Sequence, residues 1–293
     1  MINYATDCSG MCAVSQALKD LGINSSYKFA SEIDKYARKT LLENHSPEVL
    51  FEDITMPRVL PKLDLYVAGF PCQPFSLAGN RKSDNDPRGQ IFYYVLDTIK
   101  KTDPNYFILE NVSSIRSTSF FGVLQSKLSE LADYNIDYTV YNTKDYGLPQ
   151  NRPRLYIVGV KKYIGNYKVP SKVPMKPIGE ILTISDAYNE FPPYILLRME
   201  TLKDTTIINA NVQRVGSVIT NKTICNTLTA HGDFWCIKNH RKANIIELLR
   251  LQGFPDNFKQ VVSDTQLKKQ IGNSMSVCVI KAIINSLITT TLS

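Results

Sequence analysis

The stretch LDLYVAGFPCQPFSLAGN, residues 63–80, decides the fold. Its first seven residues form a short apolar run of the length of a buried strand. The run stops at Gly69 and enters a turn in which Cys72 sits between Pro71 and Pro74. A cysteine used only for packing needs no such framing. Proline fixes its own backbone and restricts the residue before it, so the turn is stiff and the thiol is aimed. Beyond it the chain breaks into a small, polar loop. The reading is a buried strand that delivers a thiol at its carboxyl end, beside a flap.

Working outward, strand-like and helix-like segments alternate over the first 160 residues. CAVSQALKDLG (12–22) repeats apolar residues at Val14, Ala17, Leu18 and Leu21 and stops at Gly22, which predicts a helix. YKFASEID (27–34) reads as a strand ending in acids, and DKYARKTLLENH (34–45) returns to helical spacing. GQIFYYVLDTIKK (89–101) predicts a helix, NYFILENV (105–112) a buried strand, and FFGVLQSKLSELADY (120–134) a helix. IDYTVYN (136–142) and RLYIVGV (154–160) read as strands. This alternation predicts an α/β fold with a mostly parallel sheet, whose ligands lie outside the carboxyl ends of its strands. Those ends carry Glu32, Cys72 and Glu110.

From about 165 to 243 the composition shifts. KVPSKVPMKPIGE is rich in Pro and Lys, and the β-branched, Asn/Thr-rich stretch after it predicts a small unit of irregular strands. Helical spacing returns in NIIELLRLQGF and in the final segment.

Composition bounds the function. The 293 residues are 43% hydrophobic, enough for one large domain or one plus a smaller one. A net charge of +7 fits a polyanionic partner without requiring one. Six scattered cysteines without a CxxC pair, and only three histidines, argue against a zinc site and a disulfide framework. The N-terminus has no signal-peptide pattern, and the C-terminal apolar segment is broken by Lys281 and Asn285. The expectation is a soluble intracellular protein that binds neither metal nor membrane.

Five segments resemble, in order, motifs of the cytosine-5 DNA methyltransferases: GFPCQPFSLAGNR, LENV (109–112), QNRPRLYIVG (150–159), ELLRLQGFPDNF (247–258) and QIGNSMSVCV (270–279). The resemblance covers nearly the whole chain. It implies a Rossmann-like S-adenosylmethionine-binding catalytic domain, 1–168 with 266–293, and a small target-recognition domain with its hinge, 169–265. The substrate it implies is double-stranded DNA, with the chain acting as a monomer, and a cognate restriction nuclease would be a separate chain.

The chemistry suits the residue types. Carbon-5 of cytosine is a poor nucleophile, and a thiolate added at carbon-6 activates it. The resemblance makes Cys72 that nucleophile. Glu110 would bond the ring nitrogen 3 and amino edge. Arg154 would hold the carbonyl, with Arg152 two positions away on the same strand face. Cofactor contacts would come from Cys8, Gly10, Glu32, Ile33, Asp53, Ile54, Pro71 and Asn273. Glu32 would bind the ribose hydroxyls, Ile33 would pack on adenine, and Asp53 would accept from the adenine amino group. A cytosine in a duplex must be flipped out to reach the pocket. Gln73, Ser76, Arg81, Arg88 and Thr229 are the substrate-contact candidates, and SLAGNRKSDNDPRGQ (76–90) is the loop that would close. Base contacts are expected from Arg214, Lys222, His231, Asp233, Lys238 and Arg241.

The first motif departs from the family pattern Asp-x-Phe-x-Gly-x-Gly-Gly. Here Thr6 replaces the acid, Cys8 the aromatic, and Cys12 and Ala13 the paired glycines, while Gly10 survives. The loop still consists of small residues, so the reading is a working enzyme with a drifted motif. An RNA cytosine-5 methyltransferase and a catalytically silent DNA-binding relative are the alternatives, and the first lacks its Cys-Phe-Thr signature here. A cysteine protease or redox enzyme lacks a suitably placed histidine.

Overall fold

A computed structural model describes residues 1–71, 87–184, 187–197, 206–210 and 223–290. Contacts divide the chain into two units, Met1–Tyr141 with Pro153–Ser171 and Ile280–Ser293, and Asn142–Arg152 with Lys172–Val279.

In chain order the first unit runs β1 (Ile2–Asp7), α1 (Ala13–Asp20), β2 (Ser25–Ser31), α2 (Lys35–Asn44), β3 (Val49–Phe51) and β4 (Leu65–Ala68). It continues with α3 (Pro87–Thr102), β5 (Tyr106–Val112), α4 (Ser119–Ser129), β6 (Tyr134–Asn142) and, after the two-residue β7 (Gln150–Asn151), β8 (Pro153–Lys161). Seven strands form one sheet in the order β3-β2-β1-β4-β5-β8-β6. The neighbours from β3 through β5 are all parallel, and β5 pairs with β8 antiparallel. This is the expected α/β fold with a mostly parallel sheet.

Two strands escape the sequence reading. β1 has no apolar run because its last two residues, Thr6 and Asp7, are polar, yet both are buried. β3 is only three residues long. With them in place the strand order reverses between β1 and β4, and ligands bind at such a switch point.

The helices start and stop where their sequences dictate. α2 begins on Asp34, whose carboxylate accepts from the amides of Tyr36 and Ala37. α3 opens on Pro87, where a missing N–H costs nothing. α4 ends earlier than its apolar spacing suggests, because Tyr134 is drawn into β6. Behind the sheet edge, Phe92 packs against Phe70 and Phe120 with ring centroids 5.5 and 5.6 Å apart. Each such side chain contributes roughly 1.5–3 kcal/mol on burial. Gly159 of β8 lies under the Phe107 ring, which a Cβ there would meet at 2.0 Å.

The second unit is built from short pieces. β9 (Ile207–Asn209), β11 (Phe234–Cys236) and β12 (Arg241–Lys242) form a three-stranded antiparallel sheet, and β10 (Cys225–Asn226) pairs with β7. A small core of Phe191, Ile195, Ile208, Trp235 and Ile237 covers the sheet. The helix Ile245–Gln252 carries a full capping box between Asn244 and Glu247 and ends at Gly253, whose φ of 94° suits glycine.

Candidate active site

Parallel pairing brings the carboxyl ends of β1 to β5 to one edge, and the antiparallel β8 returns its first residues to the same edge. The register sets Glu110 opposite Tyr156 and Val112 opposite Arg154. Glu110 and Arg154 are therefore diagonal neighbours on one face. Arg154 Nε lies 3.3 Å from Glu110 Oε1, and the two side chains are only 16% and 12% exposed. A second Arg154 nitrogen donates to the Pro153 carbonyl at 2.8 Å, which fixes the guanidinium plane. Between them, Asn111 is buried and donates to the Phe70 carbonyl at 3.1 Å. Asn111 thus secures the turn that leads from β4 to Pro71, which is exposed. Cys72, Gln73, Ser76 and Arg81 lie outside the described residues, as does the side chain of Arg88.

The other end of this edge is a set of three turns. After β1, Cys8, Gly10 and Cys12 have φ of 52°, 55° and 57°. This is the left-handed region, natural for Gly10 and strained for the two cysteines, at a cost of order 1–2 kcal/mol each. Beneath the turn, Cys12 Sγ meets Ser15 Oγ at 2.9 Å and Tyr27 Oη at 3.3 Å, and Thr6 Oγ1 meets Tyr27 Oη at 2.5 Å. Half-buried Cys8 has its thiol pushed well up by burial and then by the nearby charges of Asp7 and Glu32, so it stays protonated.

After β2, Glu32 accepts from the amide of Gly10 at 2.7 Å and from that of Asp34 at 2.9 Å. Burial raises its pKa, against those two hydrogen bonds. Ile33 beside it is 75% exposed, an apolar side chain left in water. Arg38, which sequence reasoning missed, donates to the carbonyls of both Glu32 and Ile33 and pairs with Glu52 at 3.2 Å. After β3, Asp53 Oδ1 accepts from the Thr55 amide at 2.9 Å and makes a tight turn. Ile54 is buried in the core, so its side chain is not at the surface.

Arg152 departs from expectation. It lies between β7 and β8, in the second unit, so the two-residue strand spacing does not carry through it. Its side chain is buried and donates to the carbonyls of Leu228 at 2.6 Å, Gly272 at 3.0 Å and Ser274 at 2.7 Å. A guanidinium committed to three carbonyls is not available to a base. Gln150 and Gln252 extend this knot: Gln150 bonds the Leu251 carbonyl, Gln252 and the Leu228 amide. Gly272 completes it, since a Cβ there would meet the Thr229 carbonyl carbon at 2.2 Å. Asn273 is exposed at the end of the helix Asp264–Asn273 in the same unit.

The substrate-contact candidate Thr229 is exposed, as are His231 and Lys238 of the expected base-contact residues. Arg214 and Lys222 lie outside the described residues. Arg241 is a correction: it is buried and holds Glu247 through contacts of 2.6 and 2.9 Å, so it cannot read a base. Asp233 is likewise engaged, by Trp235, Tyr194 and Lys242. Among the described residues no group of three metal-ligating side chains occurs, and no single helix is long and apolar enough to cross a membrane.

The model of the C-5 cytosine-specific DNA methylase family matches residues 8–193 and 180–289. The Type II methyltransferase M.NlaX of Neisseria lactamica is 36% identical over 275 residues, covering 87% of this chain and 86% of the relative. M.NgoBI of Neisseria gonorrhoeae is 36% identical over 270 residues, covering 87% and 83%. Among solved structures, the S. pombe Dnmt2 methyltransferase superposes with a TM-score of 0.76 at 20% identity, over 99% of each chain. That last likeness speaks to the fold alone.

Proposed function

The chain belongs to the C-5 cytosine-specific DNA methylase family and is a DNA cytosine-5 methyltransferase; from that premise we propose how its residues divide the work. The observation that carries the proposal is the Glu110–Arg154 pair, a half-buried carboxylate and guanidinium 3.3 Å apart at the strand-end edge. The edge of a flipped cytosine offers an amino donor, ring nitrogen 3 and a carbonyl acceptor. Glu110 accepts from the amino group and holds a proton against nitrogen 3. Arg154 holds the carbonyl. As the Cys72 thiolate adds to carbon-6, electron density moves toward nitrogen 3 and that carbonyl, where a fixed cation stabilises it most. Carbon-5 is then nucleophilic. Once carbon-5 has taken the methyl group from the sulfonium, loss of its proton to a base expels the thiolate and restores the ring.

S-adenosylmethionine supplies the electrophilic methyl group. The residues of the edge fit it by their chemistry. Glu32 retains acceptor capacity for vicinal hydroxyls, and exposed Ile33 offers an apolar platform for a purine. Asp53 accepts from an amino group, and a Cβ on Gly10 would meet nothing within 4 Å, so the backbone there lies open to a ligand. Cys8 and Pro71 flank this surface. Ile54 contributes only by anchoring the Asp53 turn. Asn273 is assigned to the methionine end on its motif alone.

The second unit reads the target sequence, and exposed Thr229, His231 and Lys238 are its candidate contacts. Arg152 is a positioning residue there, because its guanidinium is committed to the carbonyls that fasten the Leu228 segment. The Type II designation of the relatives supports a modification role beside a separate nuclease, inside the cell where the DNA is.

The test is methyl transfer from labelled S-adenosylmethionine to mixed-sequence DNA and to RNA, with Cys72→Ala as control. Label in DNA that the control loses is the expected result. Label only in RNA, or label that survives in the control, would overturn the assignment.

A further inference from the structure

The family pattern leaves position 7 unspecified, and this chain fills it with a carboxylate that is fully buried. Asp7 receives five hydrogen bonds. Ser31 Oγ at 2.5 Å and one Arg58 nitrogen at 2.6 Å bond Oδ1. Tyr66 Oη at 2.7 Å, the other Arg58 nitrogen at 3.1 Å and Thr98 Oγ1 at 3.3 Å bond Oδ2. Arg58 also donates to Thr98 at 2.7 Å, and its guanidinium lies 5.6 and 5.5 Å from the ring centres of Phe29 and Phe51. The pair joins the ends of β1, β2 and β3 to β4 and α3. None of the proposed chemistry uses it.

Its position is informative. The residue after Asp7 begins the strained turn of Cys8, Gly10 and Cys12. Such a turn keeps its shape only where its surroundings over-determine it. Asp7 is the fixed end on one side, and the Cys12–Ser15–Tyr27 contacts are the fixed end on the other. Arg58 meanwhile lies in the loop between β3 and β4 that carries Asp53. Glu52, Thr55, Met56, Pro57 and Val59 in that loop are all exposed, so around Asp53 the side chains of Ile54 and Arg58 tie it inward, with Leu60 and Leu63 following further on.

We propose that Asp7 and Arg58 are positioning residues that hold two arms of the cofactor edge, the Cys8–Cys12 turn and the Asp53 turn, at a fixed spacing. The inference rests on the cofactor reading above. In this chain Cys12 and Ala13 stand where the family pattern has glycines, and the long-range pair keeps the backbone of that turn in place for a ligand.

The experiment is calorimetric binding of S-adenosylhomocysteine, with melting temperature measured in parallel, for the wild type, Arg58→Met, Arg58→Lys and the double variant Asp7→Leu/Arg58→Met. Arg58→Met is expected to weaken binding at least tenfold, with KM for DNA within twofold of the wild type. Arg58→Lys recovers melting temperature more than affinity, because an ammonium cannot make the paired contacts. The double variant, with no buried charge left, regains part of the melting temperature and none of the affinity. Affinity that returns with melting temperature in the double variant would reduce the pair to a stabilising element and overturn the proposal. So would folded Arg58→Met that binds within twofold of the wild type. A wild-type chain that binds no S-adenosylhomocysteine would overturn the cofactor reading itself, a different failure from either.

Discussion

Among the described residues each unit contains one arginine–carboxylate pair that is fully buried, and the two are built differently. Arg58 and Asp7 are 51 residues apart, and all partners of the carboxylate are side chains. Arg241 and Glu247 are six residues apart, and Glu247 also accepts from the backbone amides of Thr183 and Asn244. The first pair joins distant strands across a sheet that would exist without it. The second is part of the local backbone of a unit whose strands are two or three residues long. A buried pair in a strong scaffold is free to serve geometry, whereas one in a weak scaffold serves the fold.

Removing one partner from the second pair should have the largest effect. Glu247→Ala leaves Arg241 buried and uncompensated and also strips the capping box. Chemical denaturation should show a loss of about 3–5 kcal/mol, concentrated in the second unit by hydrogen exchange. If exchange rises equally in the first unit, the two units do not differ in this way.

Neutralising both partners sharpens the contrast. Replacing a buried ion pair by apolar residues of similar volume is often neutral or stabilising. Asp7→Leu/Arg58→Met should therefore recover part of the stability lost by Arg58→Met, the remainder being the acceptor that the buried Ser31 and Tyr66 hydroxyls lose. Glu247→Leu/Arg241→Met should recover less, because two backbone amides, which unlike hydroxyls cannot rotate to another acceptor, lose theirs, at about 1–3 kcal/mol for each buried donor. Equal recovery in both doubles, measured by denaturant midpoint, would break the comparison.

The same contrast explains what was legible in the sequence. Strands β4 and β5 announce themselves as apolar runs, and the Cys72, Glu110 and Arg154 motifs sit at their ends or beside them. β1 does not, because Thr6 and Asp7 are polar residues buried by partners far away in the chain. Arg58 gives no local signal at all: its meaning depends on a contact with residue 7. Arg152 misleads for the opposite reason. The spacing from Arg154 suggests one strand face, but the chain breaks between Asn151 and Pro153, so the arginine points into a different unit. Arg241 misleads because a basic residue in a recognition segment looks like a base contact until its burial against Glu247 is seen. Local pattern finds elements and motifs; it cannot find partners of buried charges.

The smallest effect is a titration confined to the first unit. His45 caps the end of α2, and burial, opposed by a contact with the Met11 backbone, lowers its pKa from the usual 6.5 to about 4. A folded-state pKa below the unfolded value means the native state favours the neutral ring. The stability this contributes is complete above pH 6.5 and is lost as pH falls toward 4. Its size is about 2 kcal/mol, allowing for water that reaches a partly exposed ring. Because His45 touches the turn that Asp7 anchors, acid should loosen the first unit at this turn while leaving the Arg241–Glu247 knot intact. Hydrogen exchange at pH 7 and pH 4.5 reads this directly: amides of residues 8–13 should lose protection in the wild type and lose less in His45→Asn. Equal loss in the variant would place the acid sensitivity elsewhere.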